Sequence, residues 1–259
     1  MADSLKVLLA IPAYRCEGQI TRVLDEIDER LATRVVEIAV IDNGSPDGTV
    51  AAALAYKKQG RLKNLHVYKN KDNYNLGGTH KVAFLKAQAM GLTHVAILHG
   101  DNQAKSDELH LLLDYAEQHP ETQTVLGSRF SKGSKLQGYD WKRIAGNRVL
   151  NIIYTGLTGR NCRDLGSGLN LFALRDLEQT TYLEFADKLT FNFELLLDLI
   201  KRKVRFAYVP ITWREEDQTS NARNFNVAKI AFINVLQWRF GKANTPTHKP
   251  SDYQCEEQL

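Results

Sequence analysis

Three side chains that could bind a metal ion follow one apolar segment at alternating positions. His99, Asp101 and Gln103 come directly after the apolar residues 94–98. If the chain stays extended there, alternate side chains point to the same side and bring an imidazole, a carboxylate and an amide oxygen together. These groups suit a divalent cation such as Mg²⁺ or Mn²⁺, with a diphosphate in the remaining coordination positions. A helix beginning at 106–108 is the alternative explanation for the polar residues here, but it leaves Asp101 unexplained.

Polar loops also follow the first and second apolar segments. Pro12, Ala13 and Tyr14 follow the first segment, and Asp42 opens the loop 42–49 after the second. The second loop is rich in turn-forming residues, so a purely structural role as a turn and helix cap stays open. In an open α/β sheet, ligands bind outside the carboxyl ends of the strands. The three loops together therefore predict one ligand site at that edge of a sheet.

The elements that must position these loops can be read from the apolar pattern. We predict strands at 6–11, 36–41, 65–68, 94–98, 124–126 and 204–211. Helical spacing predicts helices at 19–31, 81–90, 107–118, 191–203 and 225–240. This alternation is typical of an α/β fold with a mostly parallel, Rossmann-like sheet and flanking helices. We expect one domain over 1–224, an amphipathic helix over 225–240 and a disordered polar tail over 241–259.

Composition and charge exclude several classes of protein. The chain has 259 residues, of which 43% are hydrophobic, and this suits one α/β domain. No apolar segment reaches the roughly 18 residues of a membrane span, and the first residues do not read as a signal peptide. The three cysteines are scattered and form neither a disulfide framework nor a zinc motif. We therefore expect a soluble, cytoplasmic protein, and a net charge of +4 argues against a nucleic-acid partner.

Basic residues are concentrated between 131 and 163. The basic residues of this stretch are Lys132, Lys135, Lys142, Arg143, Arg148, Arg160 and Arg163, and its one acid is Asp140. The stretch is either a solvated face or a surface for phosphates or anionic lipid heads. The helix predicted at 225–240 leaves a similar choice, because it could lie in a lipid interface or pack on its own domain or on a second copy. A peripheral contact with the inner face of the membrane and a homo-oligomer both stay open.

Short motifs extend this pattern from Val7 to about Phe225. They are Ile11-Pro12-Ala13-Tyr14, Val40-Ile41-Asp42-Asn43-Gly44-Ser45-Pro46-Asp47-Gly48-Thr49, Asn75-Leu76-Gly77-Gly78, His99-Gly100-Asp101-Asn102-Gln103, Gly127-Ser128-Arg129-Phe130, Asp164-Leu165-Gly166-Ser167-Gly168 and Val209-Pro210-Ile211. In this order the chain resembles the family-2 glycosyltransferases with the GT-A fold. Within that family it is similar to the polyprenyl-phosphate sugar synthases related to dolichyl-phosphate mannose synthase.

This resemblance implies three sets of site residues around a UDP- or GDP-hexose donor. The set that binds the nucleotide would be Pro12, Ala13, Tyr14, Asp42, Gly77 and Gly100. The set that binds Mg²⁺ or Mn²⁺ would be Asp101, Gln103 and His99. The catalytic set would be Asp101, Arg129, Asp164 and Arg214. By the same resemblance, the domain over 1–224 would be the GT-A catalytic domain.

The resemblance also implies a role for each catalytic side chain. Arg129 would meet the donor diphosphate or an acceptor phosphate, for which its planar fork of donors is suited. Asp164 sits where the family places an acceptor-side carboxylate, and it is the candidate general base if the acceptor is a hydroxyl. Arg214 would close over the phosphates when the donor binds.

Two departures from the family pattern bear on activity. His99 stands where the first acid of the Asp-x-Asp motif is usual, and Asn43 replaces the second acid of an Asp-Asp pair. We expect donor binding to be kept with an altered metal preference.

Three functions follow from the resemblance. The first is inverting transfer of a hexose from a nucleotide sugar to polyprenyl phosphate or a lipid-linked glycan. The second is transfer to a sugar hydroxyl during assembly of a surface polysaccharide such as O-antigen or capsule. The third is a nucleotide-sugar-binding protein that has lost catalysis.

Overall fold

The computed structural model describes residues 5–215, 224–241 and 246–259. The strands are β1 (Val7–Ala13), β2 (Glu37–Asp42), β3 (Leu65–Asn70), β4 (His94–Leu98), β5 (Thr124–Ser128), β6 (Lys135–Gln137), β7 (Leu169–Ala173), β8 (Phe206–Pro210), β9 (Thr212–Arg214) and β10 (Cys255–Gln258). The α-helices are α1 (Ile20–Asp25), α2 (Glu29–Arg34), α3 (Thr49–Lys57), α4 (Asn75–Ala89), α5 (Leu109–Gln118), α6 (Trp141–Thr158), α7 (Gln179–Tyr182), α8 (Thr190–Lys201) and α9 (Asn224–Arg239).

One large sheet has the strand order β10-β3-β2-β1-β4-β7-β5-β8. Strands β7 and β10 run antiparallel to their neighbours, and the other six strands run parallel to one another. The prediction of a mostly parallel α/β sheet with flanking helices is therefore confirmed. The strand order reverses direction at β1, so the connections that leave β1 and β4 diverge and open a crevice at the carboxyl edge.

Both faces of this sheet are covered by helices. In β1, the side chains of Val7, Leu9 and Ile11 pack in one apolar layer, and those of Leu8 and Ala10 pack in the other. Helices α1, α2, α3 and α5 contribute to the first layer, whereas α4, α6, α8 and α9 contribute to the second. Strands that are buried on both faces form continuous apolar runs in the sequence, which is why the central strands could be predicted.

A second, two-stranded sheet lies beside the carboxyl edge. Strand β6 pairs in parallel with β9. Ala104, in the loop after β4, forms an isolated bridge with Trp213 of β9. The predicted strand 204–211 is thus continued after Ile211 by β9, which reaches the candidate metal loop.

The first two predicted helices, 19–31 and 81–90, differ most from the structure. The predicted helix 19–31 is divided into α1 and α2, because the Asp28 carboxylate accepts a hydrogen bond from the Leu31 backbone N–H (2.6 Å) and caps a new helix. Helix α4 begins at Asn75 rather than at 81. Its first turns contain Gly77 and Gly78, and the low helix propensity of glycine hid this start in the sequence.

Helix α6 and strand β7 are among the elements that were not predicted. Helix α6 occupies the basic stretch, with Asp140 as its N-cap and Gly159 in the left-handed conformation (φ 69°) at its end. Strand β7 is inserted antiparallel between β4 and β5. Both lie where the regular alternation of strand and helix breaks down, so a pattern of βαβ units gave no place for them.

The prediction of a disordered tail is wrong for residues 246–259. Strand β10 joins the edge of the large sheet beside β3, and Tyr253 is buried. Polar contacts hold the tail, including a hydrogen bond between Glu257 and His66 (2.7 Å) and an ion pair between Glu257 and Lys57 (3.3 Å). A polar composition therefore concealed an ordered segment whose stability comes from hydrogen bonds more than from apolar burial.

Across the described ranges 5–215, 224–241 and 246–259, we find no helix that is both long enough and apolar enough to cross a membrane.

Candidate active site

The loops after β1, β2 and β4 meet at the carboxyl edge of the sheet. The Asn43 backbone N–H donates to the Ala13 carbonyl, and the Gly100 N–H donates to the Pro12 carbonyl (2.9 Å each). A Cβ on Gly100 would lie 3.2 Å from the Ala13 Cβ, so the absence of a side chain lets the two loops approach. The structure thus brings together the predicted residues Pro12, Ala13 and Gly100.

Asp42 presents one open acceptor at this edge. Its Oδ2 accepts hydrogen bonds from the backbone N–H groups of Gly44 and Ser45 (3.0 Å each). Its Oδ1 is buried and has no hydrogen-bond partner in the part of the chain that the structure describes. Leaving a buried acceptor unpaired costs free energy, so a ligand donor at this atom would be stabilising.

An exposed aromatic ring lies directly after β1, at the same edge of the sheet. Tyr14 is 37% exposed, and the Arg15 guanidinium carbon lies 5.4 Å from its ring centroid. Arg15 has a positive φ of 55°, and its N–H donates to the Ser45 Oγ (3.0 Å). This contact joins the β1 and β2 loops, and the exposed part of the Tyr14 ring could stack on a flat ligand.

Asn43 is a structural residue of the β2 loop. Its Oδ1 accepts from the Tyr74 N–H (2.8 Å) and from Asn70 Nδ2 (3.1 Å), while its Nδ2 donates to Asn73 Oδ1 (2.9 Å). An aspartate has no N–H to donate to Asn73. The asparagine that departs from the family's acidic pair is therefore matched to its neighbours in this chain.

The predicted set of His99, Asp101 and Gln103 does not share one side of an extended segment. Asn102 adopts a positive φ of 60°, and residues 99–103 form a turn. The Gln103 N–H donates to Asp101 Oδ1 (3.1 Å), which fixes the carboxylate within that turn. The alternation argument is wrong here because strand β4 ends at Leu98.

His99 turns into the protein interior. Its backbone N–H donates to the Gly168 carbonyl (2.9 Å), and its ring lies 5.5 Å from that of His80. Its Nε2 is buried and has no protein partner among the described residues. Burial lowers the pKa of His99; Asp101 acts to raise this pKa and Arg129 to lower it. Both the carboxylate and the guanidinium that the sequence singled out are therefore close enough to His99 for their charges to act on it.

Three carboxylates of the β2 and β4 loops act on the pKa of one buried thiol. Burial raises the pKa of Cys16 to about 12, and the charges of Asp101, Asp47 and Asp42 add to the rise, against a hydrogen bond to the Tyr14 carbonyl. The β2 and β4 loops thus both carry carboxylates that are close enough to Cys16 to act on its pKa. Such a region favours a bound cation.

The residues at this edge fit a divalent cation only if a ligand supplies part of its coordination. Among the described ranges, no three His, Cys, Asp or Glu side chains are placed to hold a metal ion by themselves. Asp101 remains as a partly exposed carboxylate on a fixed turn, next to Gln103. One or two carboxylates plus substrate phosphates are the usual ligands of Mg²⁺ in enzymes that act on nucleotides.

Arg129 and Asp164 form a buried, bidentate ion pair. Arg129 Nε donates to Asp164 Oδ2 (2.8 Å) and its Nη2 donates to Oδ1 (2.7 Å). The Arg129 backbone N–H (2.8 Å) and the Gly166 N–H (3.2 Å) also donate to this carboxylate. Burial acts to lower the pKa of Arg129, but the charge and hydrogen bonds of Asp164, with the charges of Tyr139 and Glu215, together outweigh it and raise this pKa.

This arrangement changes the role of Asp164. Four donors occupy its two oxygens, so it is poorly placed to take a proton from an acceptor hydroxyl. It is a fixed counterion that orients Arg129. Trp213, which the sequence analysis missed, supports the other side, with its ring centroid 4.9 Å from the Arg129 guanidinium carbon. No local pattern around Trp213 marked this contact, because it joins residues that are far apart in the chain.

Arg214 is engaged with the protein itself. Its guanidinium makes two contacts with Glu26 (2.6 and 3.0 Å) and one with Asn102 Oδ1 (3.1 Å). Its backbone N–H donates to the Gln103 carbonyl (2.8 Å). Arg214 thus braces the loop of Asp101 against α1. The loop that was expected to close over the donor continues into 216–223, outside the described residues.

Gly77 serves helix packing. A Cβ at this position would lie 2.5 Å from the Phe191 Cβ and 2.7 Å from the Ala186 carbonyl oxygen. Its N–H donates to the Asp187 carbonyl (2.6 Å). Protein atoms occupy the space beside Gly77, so the direct contact with the nucleotide that the resemblance implied is replaced by contact between α4 and the segment before α8.

Comparison with known proteins adds a family and several relatives. The family model described as "Glycosyl transferase family 2" matches residues 9–179. The chain is 25% identical over 239 residues to polyprenol monophosphomannose synthase of Mycolicibacterium smegmatis, a match that covers 90% of this chain and 86% of that protein. It is 23% identical over 225 residues to dolichyl-phosphate beta-glucosyltransferase of Drosophila melanogaster, covering 83% of this chain and 69% of that protein.

Solved structures share the same fold. Glucosyl-3-phosphoglycerate synthase from Mycobacterium tuberculosis in complex with UDP superposes with a TM-score of 0.67 at 19% identity, covering 93% of this chain and 82% of that one. The same enzyme in complex with Mn²⁺, UDP-glucose and phosphoglyceric acid gives a TM-score of 0.67 at 18% identity, covering 93% and 81%.

Proposed function

The chain belongs to glycosyl transferase family 2, and from this premise we propose that it is an inverting, metal-dependent hexosyltransferase with a nucleotide-sugar donor and a polyprenyl-phosphate acceptor. One observation carries the proposal. Asp101, held in its turn by the Gln103 N–H (3.1 Å), and Arg129, held by Asp164 (2.7 and 2.8 Å), are both close enough to His99 for their charges to act on its pKa. A carboxylate that can hold a cation and a fixed guanidinium therefore lie near the same residue at the carboxyl edge of the sheet.

The donor would lie across the β1, β2 and β4 loops. Asp42 Oδ1 would accept a hydrogen bond from the base or the ribose, and Tyr14 would stack at the rim. Asp101, with Gln103, would hold Mg²⁺ or Mn²⁺, which supplies positive charge to the departing diphosphate. UDP-glucose and Mn²⁺ are bound by the structurally similar glucosyl-3-phosphoglycerate synthase.

The chemistry follows from the charge that develops. When the bond between the anomeric carbon and the diphosphate breaks, negative charge grows on the leaving oxygen, and a preorganised guanidinium stabilises it. Arg129 needs no reorganisation for this, because Asp164 and Trp213 already fix its orientation. Attack from the opposite face of the sugar inverts the anomeric centre.

The site favours a phosphate over a hydroxyl as the acceptor. A phosphate monoester is anionic at neutral pH and attacks without a general base, whereas a hydroxyl must lose its proton to one. The carboxylate that could have served as the base, Asp164, is filled by four donors. Two relatives, polyprenol monophosphomannose synthase and dolichyl-phosphate beta-glucosyltransferase, carry lipid-phosphate acceptors in their names.

An exposed apolar surface supports a lipid-linked acceptor. Helices α6 and α9 contact each other through the Tyr154 hydroxyl, which donates to the Ala231 carbonyl (2.8 Å). The exposed apolar residues of these helices and of the residue after α9 are Trp141, Val149, Ile152, Ile230, Phe232, Ile233 and Phe240. We call this set the α6/α9 surface. The segments 141–163 and 224–241 contain basic residues and no acid, so the surface suits an anionic membrane.

An assay of product partition tests the proposal. The protein is incubated with Mn²⁺ or Mg²⁺, a panel of radiolabelled UDP- and GDP-hexoses, and either a short polyprenyl phosphate or a sugar acceptor with free hydroxyls. We expect label to enter an organic phase only with the polyprenyl phosphate and only with the metal. Label on the sugar acceptor alone would favour surface-polysaccharide assembly, and donor binding without any transfer or hydrolysis would mean that catalysis has been lost.

A further inference from the structure

The C-terminal tail, residues 246–259, is attached to the domain through a buried network of charges. The side chains of Lys81 and Asp187 are fully buried and paired at 2.8 Å. The Tyr253 hydroxyl donates to Asp187 Oδ1 (2.6 Å), and Lys81 donates to that hydroxyl (2.9 Å). The Thr247 and His248 backbone N–H groups donate to Asp187 Oδ2 (2.9 and 3.1 Å). The tail thus completes the hydrogen bonds of a buried pair that otherwise would lack them.

The same tail contacts Tyr74, a residue next to the β2 loop. Tyr74 is buried, and its hydroxyl donates to the Asp252 carbonyl and accepts from the Gln254 N–H (3.4 Å). The rings of His248 and Tyr253 meet the Tyr74 ring edge-on, at 4.9 and 5.5 Å between centroids. Tyr74 is therefore enclosed by the tail on its ring and on its hydroxyl.

Tyr74 in turn holds the loop that follows β2. Its backbone N–H donates to Asn43 Oδ1 (2.8 Å), and the neighbouring Asn73 accepts from Asn43 Nδ2 (2.9 Å). Asn43 directly follows Asp42, whose Oδ1 is the open, buried acceptor of the site. Hydrogen bonds thus link the tail to Tyr74 and Tyr74 to Asn43. Asn43 is the neighbour of Asp42, at which the nucleoside would bind.

We infer that Tyr74 is a positioning residue for the nucleoside end of the donor site and that the C-terminal tail is the element that fixes it. The inference rests on the proposed function, because it assigns the nucleoside to Asp42. A shift of the Tyr74 backbone would move the Asn43 side chain that it holds, and Asn43 directly follows Asp42 in the chain. The tail has no described contact with Arg129 or Asp101, so it acts on donor binding and leaves the chemical step unchanged.

Tyr74→Phe tests this with little risk to folding, because only the hydroxyl that meets Asp252 and Gln254 is removed. The matched control is Glu257→Gln, which weakens the contacts of the tail with His66 and Lys57 but leaves the contacts of Tyr74 intact. Both variants should loosen the tail to a similar extent in hydrogen exchange. The donor KM should rise about five- to tenfold in Tyr74→Phe alone, with kcat within about twofold of the parent in both.

Calorimetric titration of the parent and of Tyr74→Phe with UDP and with GDP, in the presence of Mn²⁺, distinguishes failure of this inference from failure of the proposed function. If the parent binds a nucleoside diphosphate and Tyr74→Phe binds it equally well, the positioning role is refuted and the proposed function stands. An equal rise in KM for both variants would also refute it, because general loosening of the tail would then be sufficient. If the parent binds neither nucleotide, the proposed function and this inference fall together.

Discussion

At the scale of single residues, the pairing of Arg129 with Asp164 bears most on the chemistry. Both side chains are largely buried, and a guanidinium held by two parallel hydrogen bonds has one orientation. The protein therefore fixes the direction of the remaining N–H groups of Arg129 and the position of its charge. On the proposed function, Asp164 would therefore contribute to catalysis through Arg129, whichever acceptor is used.

This assignment predicts the effect of Asp164→Asn. The amide keeps the size of the side chain but loses the charge and one acceptor, so we expect kcat/KM to fall about 10- to 100-fold, the usual cost of removing a partner that orients a functional group. The loss should be the same for phosphate and hydroxyl acceptors. Steady-state kinetics with Asp198→Asn as the control, which breaks the Asp198–Arg202 pair (2.8 Å) elsewhere, checks this. A loss confined to hydroxyl acceptors would restore Asp164 as a general base.

The sequence located the residues of the site better than it described their directions. Residues 12–14, Asp42, Gly100 and Asp101 follow neighbouring strands of the sheet. Their position could be predicted because each of these strands is an apolar run in the sequence. The turn that follows His99 depends on the positive φ of Asn102, and the His99 ring lies against Gly168. Neither feature is encoded in an alternating pattern. Contacts between residues far apart in the chain, such as Arg129 with Trp213, could not be predicted from spacing.

At the scale of elements, the tail shows how a polar segment can be ordered. Burial acts to raise the pKa of Asp187, but hydrogen bonds from Lys81, Tyr253 and His248 outweigh it and hold this pKa below its ordinary value. Since the folded pKa is below the unfolded one of about 3.9, the carboxylate stabilises the fold above that pH. The stabilisation is lost as the pH falls through the folded pKa.

Asp187→Asn should therefore lower the free energy of unfolding at pH 7 by about 3–5 kcal/mol, because Lys81 would stay buried without its counterion. As the pH falls below about 3.9, the parent should lose stability towards the variant, and the difference should shrink. Urea unfolding across this pH range measures both effects. Asp25→Asn, which removes an exposed partner of Arg61, should cost less than about 1 kcal/mol. A constant difference at all pH values would contradict the account.

The elements that the sequence missed have physical reasons in common. Helix α6 contains Gly146 and Gly156 and exposes apolar residues, so its pattern does not resemble that of a helix packed on a core. Strands β7 and β10 run antiparallel in a sheet whose other strands follow a βαβ order. Their pairing depends on the rest of the sheet being in place, and local propensity cannot report it.

At the scale of the whole molecule, the α6/α9 surface should bind anionic vesicles. Replacing Trp141, Ile152 and Phe240, which are 70%, 70% and 76% exposed, by serine should weaken partition into vesicles with anionic lipid by about tenfold or more. Partition into neutral vesicles should be weak for both proteins, because the basic residues gain nothing there. Sedimentation with vesicles of the two compositions measures this.

The control for that experiment is a triple serine variant at Val36, Met90 and Leu111, which are exposed apolar residues outside α6 and α9. It removes apolar area elsewhere on the protein and should bind anionic vesicles as the parent does. If both triple variants bind equally well, the α6/α9 surface has another partner. A second copy of the chain is disfavoured as that partner, since a symmetric interface would bring together two helices that carry basic residues and no acid.

The central claim is that Asp101 anchors the donor diphosphate through a divalent cation, and calorimetry of nucleoside diphosphate binding with and without Mn²⁺ tests it most directly. For the parent and for Asp107→Asn, an exposed carboxylate near the site, Mn²⁺ should tighten binding by about tenfold or more, or roughly 1.4 kcal/mol. For Asp101→Asn, Mn²⁺ should have little effect. Equal tightening by Mn²⁺ in Asp101→Asn and in the parent would contradict the account.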